Sequence, residues 1–356
     1  MAQFIPFGSI GQFRDAVHTV KSIVSFRGFN ESGDPIVNTS IPAPTLSCVA
    51  TEKIHGTNAA VCFTEKHGFW VQSRNNILHD GFDNAECYKY AKKHEDAWLG
   101  IIKKLAKAYA IDLNDKIISV FYEWSGGNIQ TKSALSGVCK SSMIFQHFKV
   151  TNHETNETSW HETLFDNTWV DAPESDIWNI MKFPYYLIDV DFDNLKATHE
   201  YLNKLVTETI EPNSPVGRQF SIDGNVGEGI VVTCNLKTHN GDVQFIRFKV
   251  KGSEHTVTKV KKLKTVDHDK DKKIVDFVNY AVNAQRLEQA WQTVYGINNE
   301  KKEPSMKSLG EFLRAVVSDI KKEESDVLEA SNLTLKDING KAAQVAKKWY
   351  IEFLNT

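Results

Sequence analysis

The sequence predicts an α+β domain built on antiparallel strands, followed by a small all-helical domain. Short β-branched and aromatic runs separated by polar turns recur through the first 260 residues. Beyond a lysine-rich segment, the apolar residues adopt a helical period and strand signals almost disappear. A chain of 356 residues is longer than one core usually holds. We therefore assign residues 1–260 to the first domain and residues 265–356 to the second.

The first domain begins with a predicted helix and continues mainly as strands. The segment "SIGQFRDAVHTVKSI" has apolar residues at helical spacing, with Ser9 as the predicted cap. Strand-like runs on both sides of Gly68 predict a hairpin, and residues 87–111 predict another helix. The runs "KIISVFYEW", "SSMIFQHFKV" and "PYYLIDVDF" predict strands. The turns "TNHETNET" and "THNGDV" favour antiparallel pairing.

The second domain contains three runs with an apolar stripe at helical spacing. They are "KIVDFVNYAVNAQRLEQAWQTVYG", "SMKSLGEFLRAVVSDIKKEESDVLEA" and "LKDINGKAAQVAKKWYIEFL". Gly296 and the polar segment after it end the first run, and Asn332 with Leu333 separates the second from the third. These runs predict a small helical bundle.

Composition excludes a membrane protein and a disulfide-rich secreted one. The chain is 41% hydrophobic and 24% charged, and no segment approaches the roughly 18 apolar residues of a membrane span. The first residues do not have the pattern of a signal peptide. Five cysteines, odd in number and widely spaced, predict a cytoplasmic, reducing setting with neither a disulfide framework nor a zinc cluster.

The charge distribution restricts any nucleic-acid surface to a local patch. The formal net charge is only −3, so the whole chain does not attract polyanions. Residues 249–273 contain nine lysines and four acidic residues. The part of this stretch at residues 259–273 joins the two domains, and we expect it to contact phosphates without reading bases.

A lysine interrupts the strand-like segment "ATEKIHGTNAAV". Lysines are rarely buried, so Lys53 on an exposed edge strand is the ordinary interpretation. An amine becomes a nucleophile when desolvation or neighbouring positive charge favours its neutral form. Lys249 and Lys251 alternate in "FIRFKVKG" and therefore face the same side of a strand. That side is either a solvated face or a row of cations for a phosphate-rich ligand.

The order of six short segments is the most specific feature of the chain. They are "EKIHGTN" at 52–58, "SRNNIL" at 73–78, "FYEWSGGNIQ" at 121–130, "IFQHFKV" at 144–150, "VGEGIVV" at 226–232 and "RFKVKG" at 247–252. This series resembles the covalent nucleotidyltransferases, which include ATP-dependent ligases and capping enzymes. It is most similar to the RNA ligase 2 family of phage double-stranded RNA ligases and RNA-editing ligases, in which histidine follows the lysine by two positions.

The resemblance implies a fold and four catalytic residues. The fold is an antiparallel-sheet nucleotidyltransferase domain, ATP-grasp-like, followed by a helical domain in place of an OB-fold. Lys53 is then the nucleophile that attacks the α-phosphorus of ATP. His55 supports the later steps with RNA, while Lys249 and Lys251 hold the α-phosphate.

The resemblance also implies residues that bind the nucleotide and the metal. Arg74 lies near the ribose and the RNA ends in such enzymes. Glu123 contacts the nucleotide sugar or the metal, and Glu228 is associated with metal binding. Further nucleotide-binding positions are Glu52, Ile54 and Asn58.

The aromatic residue that stacks on adenine is expected at Phe148. Stacking requires a flat apolar face. The residue after this aromatic is commonly aspartate in the family, whereas this chain has Lys149. Phe145 is therefore the alternative.

Together these features predict an ATP-dependent RNA ligase that joins 3′-OH and 5′-phosphate ends through a lysine-adenylate and an adenylylated 5′ end. The expected substrate is a nick in duplex RNA or in an RNA–DNA hybrid. The expected cofactors are ATP as AMP donor and Mg2+, or Mn2+. We expect a monomer with no membrane partner, located in the cytoplasm, or the host cytoplasm for a phage protein. The alternatives are a GTP-dependent RNA capping nucleotidyltransferase and a non-catalytic double-stranded RNA-binding protein.

Overall fold

The computed structural model describes residues 2–127, 129, 133–222, 226–252, 268–296 and 304–354. The helices within these residues are α1 (Phe13–Ser25), α2 (Cys87–Lys93), α3 (Glu95–Ala108), α4 (Leu195–Leu205), α5 (Pro215–Gln219), α6 (His268–Ala281), α7 (Ala284–Tyr295), α8 (Leu309–Glu323), α9 (Ser325–Ala330) and α10 (Leu335–Leu354). Short 3₁₀ turns occupy Ala134–Gly137, Pro173–Ser175 and Ile180–Lys182, and a π turn occupies Val206–Ile210.

The strands all precede the C-terminal helices. They are β1 (Gly11–Gln12), β2 (Phe26–Phe29), β3 (Pro35–Val37), β4 (Thr45–Glu52), β5 (Gly56–Thr64), β6 (Gly68–Ser73), β7 (Ile77–Leu78), β8 (Lys116–Ser125), β9 (Ser141–Ile144), β10 (His147–Asn152), β11 (Thr158–Glu162), β12 (Leu164–Phe165), β13 (Thr168–Trp169), β14 (Ile177–Asn179), β15 (Tyr185–Asp191), β16 (Gly229–Lys237) and β17 (Val243–Lys251).

Two larger sheets form the N-terminal region, which we define as residues 2–252. The first has the order β1-β17-β16-β4-β15, and the second has the order β11-β10-β8-β5-β6-β7, with β9 beside β8. Pairing is antiparallel except for β1 with β17 and β14 with β9. Residues 53–55 connect β4 of the first sheet to β5 of the second. The segment that contains Lys53 therefore lies where the two sheets meet.

The predicted α+β class and the predicted hairpins are confirmed. Strands β5 and β6 pair around the turn before Gly68, with Thr64 opposite Gly68. Strands β10 and β11 pair across the second predicted turn, and β16 pairs with β17 across the third. The second and third turns contain Asn, Gly or Asp, which favour tight reversals. In the first, Gly68 has a φ of 70°, which glycine adopts without strain.

Several element boundaries differ from the prediction. Helix α1 begins at Phe13, so Ser9 is not its cap. The residues just before it form β1, and the Gln12 N–H donates to the Asp15 carboxylate over 2.8 Å. The run "SSMIFQHFKV" forms two strands because residues 145–146 leave the sheet. Three predicted helices are each divided in two, and the last division places Glu324 between α8 and α9.

The expectation that disulfides are absent is wrong. Cys48 of β4 and Cys234 of β16 are joined in a disulfide, with their Cα atoms 4.4 Å apart. The two residues are directly opposite in the antiparallel register. They are 186 residues apart in sequence, so only the strand pairing brings them together.

The two larger sheets and the C-terminal helices pack around separate apolar clusters. Phe13 of α1 packs on Phe248 of the first sheet, with ring centroids 5.3 Å apart. Trp98 of α3 lies in the cluster that covers the second sheet. The C-terminal bundle, which we define as α6–α10, has its own cluster around Phe312 and Tyr350. Among the described residues, no helix is long and apolar enough to cross a membrane.

Candidate functional site

Lys53 lies immediately after β4 and is paired with a buried carboxylate. Its backbone N–H donates to the Gly229 carbonyl over 2.8 Å, which extends the pairing of β4 with β16 by one residue. Its Nζ lies 2.7 Å from Glu228 Oε2. His55 Nδ1 lies 2.9 Å from the same oxygen atom. The Glu228 carboxylate therefore positions both predicted catalytic side chains of this segment.

Glu228 is ionised despite its burial. Its side chain is 4% exposed. Burial alone would raise its pKa, but Lys53 and His55 beside it hold the pKa well below its usual value. Lys251 Nζ is 3.9 Å from the other carboxylate oxygen. One carboxylate is thus surrounded by cations from two parts of the chain.

Glu123 belongs to β8 and reaches the same site from the second sheet. It is directly opposite Asn58 in the pairing of β5 with β8. Burial raises the pKa of Glu123 to about 7, and Lys53 opposes this shift. Gly56 starts β5 so close to β8 that an added Cβ would lie 2.3 Å from the Trp124 carbonyl oxygen. The glycine after His55 therefore permits the approach of the two strands.

The predicted phosphate-binding cations point away from the core of the first sheet. Lys249 and Lys251 alternate on β17 with Phe248, which is fully buried. Arg74 follows β6 of the second sheet and lies on the wall of the same cavity. The structure thereby brings together eight predicted residues along one cavity: Lys53, His55, Asn58, Arg74, Glu123, Glu228, Lys249 and Lys251.

The C-terminal bundle closes one side of this cavity. Glu323 at the end of α8 lies 2.6 Å from Lys249 Nζ and 2.6 Å from Arg74 Nη2. Glu324 lies 3.3 Å from Lys251 Nζ and 2.8 Å from Arg286 Nη2 of α7. Further bundle residues on the wall are Tyr280, Asn283, Gln285, Gln289 and Asp319.

A second, more apolar pocket adjoins the first. Its lining includes Ile54, Phe145, Ile180 and Val231, and Lys53 lines both pockets. A flat apolar group in this pocket would therefore lie beside the amine of Lys53. Such an arrangement suits a purine base with its phosphates directed toward the cations of the first pocket.

Residues 46–251 match the family model for RNA ligase, which is more than half of the chain. The chain belongs to the RNA ligase family. This membership confirms the predicted nucleotidyltransferase class. No curated protein sequence matches the chain.

Among solved structures, the chain is similar to Naegleria gruberi RNA ligase with PPi, at 13% sequence identity and a TM-score of 0.39. It is also similar to a mutant of that ligase with ATP and Mn, at 12% identity and a TM-score of 0.39. Both comparisons cover 72% of this chain and 58% of the Naegleria chain. The chain thus spans 58% of the length of that relative.

Phe148 lines neither of the two pockets described above. It is fully buried, and its ring packs against Tyr109 and His161, each with centroids 5.5 Å away. Phe145, the alternative, is half-buried and lines both pockets. The Phe145 N–H still donates to the Phe121 carbonyl of β8 over 3.0 Å, although it lies between β9 and β10. The two rings pack in different apolar clusters, and only that of Phe148 belongs to the core of the second sheet. The buried position of Phe148 does not fit the predicted stacking role, and Phe145 is the residue that we propose for it.

Lys149, where the family commonly has aspartate, has a structural contact. Its amine donates to the carbonyl of Pro6 and lies 4.8 Å from the ring centroid of Trp160. Burial lowers the pKa of Lys149. This lysine therefore fastens the N-terminal segment to the second sheet, and it does not line either pocket described above.

Glu52 is turned toward the protein interior. Its carboxylate accepts hydrogen bonds from Ser214 Oγ over 2.6 Å and from the Val216 N–H over 2.8 Å. Burial raises its pKa to about 7. Glu52 and Ile54 both border the apolar pocket on either side of Lys53.

Two groups of residues at the site were not predicted from the sequence. Arg247 borders the apolar pocket, and burial lowers its pKa to about 10. It precedes Lys249 by two positions, so the same alternation could have revealed it. Glu323 and Glu324 could not be predicted in this way, because charged residues near the end of a helix are common. Of the basic stretch at 259–273, residues 259–267 lie outside the described part of the chain.

Proposed function

We propose that this RNA ligase joins RNA ends through a covalent adenylate on Lys53. The observation that carries this proposal is the convergence of Lys53, Glu228 and the paired cations Lys249 and Lys251 beside an apolar pocket. Lys53 follows β4, Glu228 precedes β16 and both other lysines belong to β17. The resemblance gives each of them a role in the same reaction. ATP would place its base in the apolar pocket and its phosphates at the cations.

In the first step the Lys53 amine attacks the α-phosphorus of ATP. A bond forms from Nζ to phosphorus, the bond to the β-phosphate oxygen breaks, and diphosphate leaves. Before the attack the Lys53 ammonium must pass one proton to an acceptor, and the Glu228 carboxylate, 2.7 Å from Nζ, is the adjacent one. The second proton on the nitrogen leaves to solvent as the bond to phosphorus forms. Lys249 and Lys251 would stabilise the charge on the α-phosphate, because phosphoryl transfer depends mainly on positioning and charge neutralisation.

Two further steps would complete the cycle. The 5′-phosphate of RNA attacks the adenylate and releases Lys53. The 3′-hydroxyl then attacks the adenylylated end, a phosphodiester forms, and AMP leaves. His55 shares Glu228 with Lys53, so it is held at the point where the RNA phosphate must enter. We propose a nick in duplex RNA or an RNA–DNA hybrid as the substrate, handled by a monomer.

The carboxylates of the site fit a divalent metal of the Mg2+ or Mn2+ type. Carboxylate oxygens are the ligands that such ions prefer, and Mg2+ usually completes its shell with water and substrate phosphates. Glu228 and Glu123 would be the protein ligands. Among the described residues, no group of three or more His, Cys, Asp or Glu side chains could hold a metal ion. Such an ion would supply positive charge to the reacting phosphate.

Labelling with ATP and with GTP tests the proposal. The protein is incubated with α-labelled ATP or GTP and a divalent metal, and then separated under denaturing conditions. We expect label on the protein from ATP alone, and transfer of that label to the 5′-phosphate at a nick when RNA is added. Labelling from GTP alone would identify a capping nucleotidyltransferase. Absence of label from both nucleotides would show that the site forms no covalent nucleotide.

A further inference from the structure

The two carboxylates at the end of α8 occupy the cations that the proposed function reserves for phosphates. Glu323 accepts hydrogen bonds from Arg74 and from Lys249, both over 2.6 Å. Each of its oxygens is used by one cation. Both cations belong to the N-terminal region, so a single carboxylate of the bundle bridges the two sheets.

Glu324 makes the matching contact with the second lysine of β17. It lies 3.3 Å from Lys251 Nζ and is held from its own side by Arg286, at 2.8 Å, and by the Tyr280 hydroxyl, at 3.1 Å. Its side chain is 5% exposed. Because Arg286 and Tyr280 both belong to the bundle, they fix the Glu324 carboxylate in the direction of the cavity.

Both carboxylates are ionised in this arrangement. Burial opposes their ionisation, but Lys249 and Arg74 hold the pKa of Glu323 well below its usual value. Lys251 and Arg286 lower the pKa of Glu324 in the same way. Charge-assisted hydrogen bonds are roughly twice as strong as neutral ones, and loss of either partner would leave a buried charge without compensation.

A phosphate must compete with these carboxylates for the same cations. A phosphate oxygen at about 2.7–2.9 Å from Lys249 Nζ would share that ammonium with the Glu323 carboxylate, 2.6 Å away, and the two anions would repel each other. The described bundle side chains on the cavity wall add repulsion. They present the carboxylates of Asp319, Glu323 and Glu324 against one guanidinium, that of Arg286. A surface that binds and orients diphosphate would carry a net positive charge.

We propose that Glu323 and Glu324 are an internal competitor for the nucleotide, so that the docked bundle and bound ATP exclude each other. This inference rests on the proposed function, because it assigns the phosphates to Lys249 and Lys251. Because docking of the bundle and binding of ATP are linked equilibria, each weakens the other. Docking weakens ATP binding, and ATP binding releases the bundle by the same factor. The bundle would therefore leave the cavity when ATP binds, which opens the adenylate to RNA.

Calorimetric titration with α,β-methylene-ATP, which cannot transfer AMP, measures the competition directly. The double variant Glu323→Gln/Glu324→Gln should bind this analogue about 5- to 150-fold more tightly than the unsubstituted chain, the usual range of coupling between two sites. Glu352→Gln is the matched control, since Glu352 is an exposed bundle residue that lies 3.9 Å from Lys348 of its own helix. The control should bind as the unsubstituted chain does.

Hydrogen exchange gives a second, independent readout. In the unsubstituted chain, the analogue should accelerate exchange of the amides in the C-terminal half of α8. Equal or weaker binding by the double variant, or protection of α8 by the analogue, would overturn the competition and indicate that the bundle closes over the nucleotide. Failure of every chain to bind the analogue would instead contradict the proposed function itself.

Discussion

Replacement of Phe145 and of Phe148 by alanine should have opposite consequences. Phe145 lines both pockets beside Lys53, whereas Phe148 has no exposed surface and lies in the core of the second sheet. Phe145→Ala should therefore weaken ATP binding with a modest effect on stability. Phe148→Ala should destabilise the fold and leave the affinity for ATP nearly unchanged.

The magnitudes follow from the two environments. Removal of an aromatic ring that stacks on a base costs about 1–3 kcal/mol, which corresponds to roughly a 5- to 150-fold increase in the dissociation constant for ATP. Removal of a fully buried phenylalanine costs about 3–5 kcal/mol of unfolding free energy, because it leaves a cavity. Phe145 also contacts Phe7, with centroids 5.1 Å apart, so its replacement should cost some stability.

The assay combines urea unfolding with the ATP dependence of self-adenylylation, at a temperature where each variant is folded. Phe148→Leu is the milder control, since it keeps most of the buried volume. The reasoning fails if Phe148→Leu or Phe148→Ala raises the ATP concentration for half-maximal labelling while Phe145→Ala does not. That result would return the stacking role to Phe148.

Three further predictions concern charge and the bundle. The pKa of Glu52 is about 7 in the folded protein, above its usual 4.5. Between these two pH values the folded protein binds a proton that the unfolded chain has lost. The free energy of unfolding therefore falls as the pH rises through this range. Glu52→Gln should abolish on the order of 3 kcal/mol of that fall. Urea unfolding at pH 4.5 and 7.5 checks this, with the exposed Glu200→Gln as control, and an unchanged pH dependence would contradict it. Adenylate formation at limiting ATP and metal should drop when alanine replaces Glu228, Lys249 or Lys251, and near-normal yields in all three would exclude their role. A chain that ends at Thr265 should still label itself but lose most nick sealing, and equal sealing by a folded truncation would place all necessary RNA contacts in the N-terminal region.

Local patterns predicted the parts of the fold that depend on local chemistry. The alternation of Lys249 and Lys251 placed both on one face of β17, because strand geometry alone determines it. The hairpin at Gly68 followed from its turn residues. Five of the six ordered segments supplied predicted residues to the cavity, and the exception is the segment at 144–150, whose predicted residue Phe148 is buried in the core.

The remainder depends on tertiary contacts that leave no local signal. Cys48 and Cys234 meet only because β4 and β16 pair in one particular register. The position of Phe145 depends on the break between β9 and β10. The sequence "SSMIFQHFKV" reads as one strand and gives no sign of this break. Glu323 and Glu324 belong to a charged helix end of ordinary composition, and only the docking of the bundle brings them to Lys249 and Lys251.

The most direct test of the account is the identity of the residue that carries AMP. The protein is incubated with ATP and a divalent metal, digested, and mapped by mass spectrometry, beside the variants Lys53→Ala and Lys53→Arg. The account predicts one AMP per chain on the peptide that contains Lys53, and no adduct in either variant. An AMP adduct on another residue, or label that persists in Lys53→Ala, would contradict it.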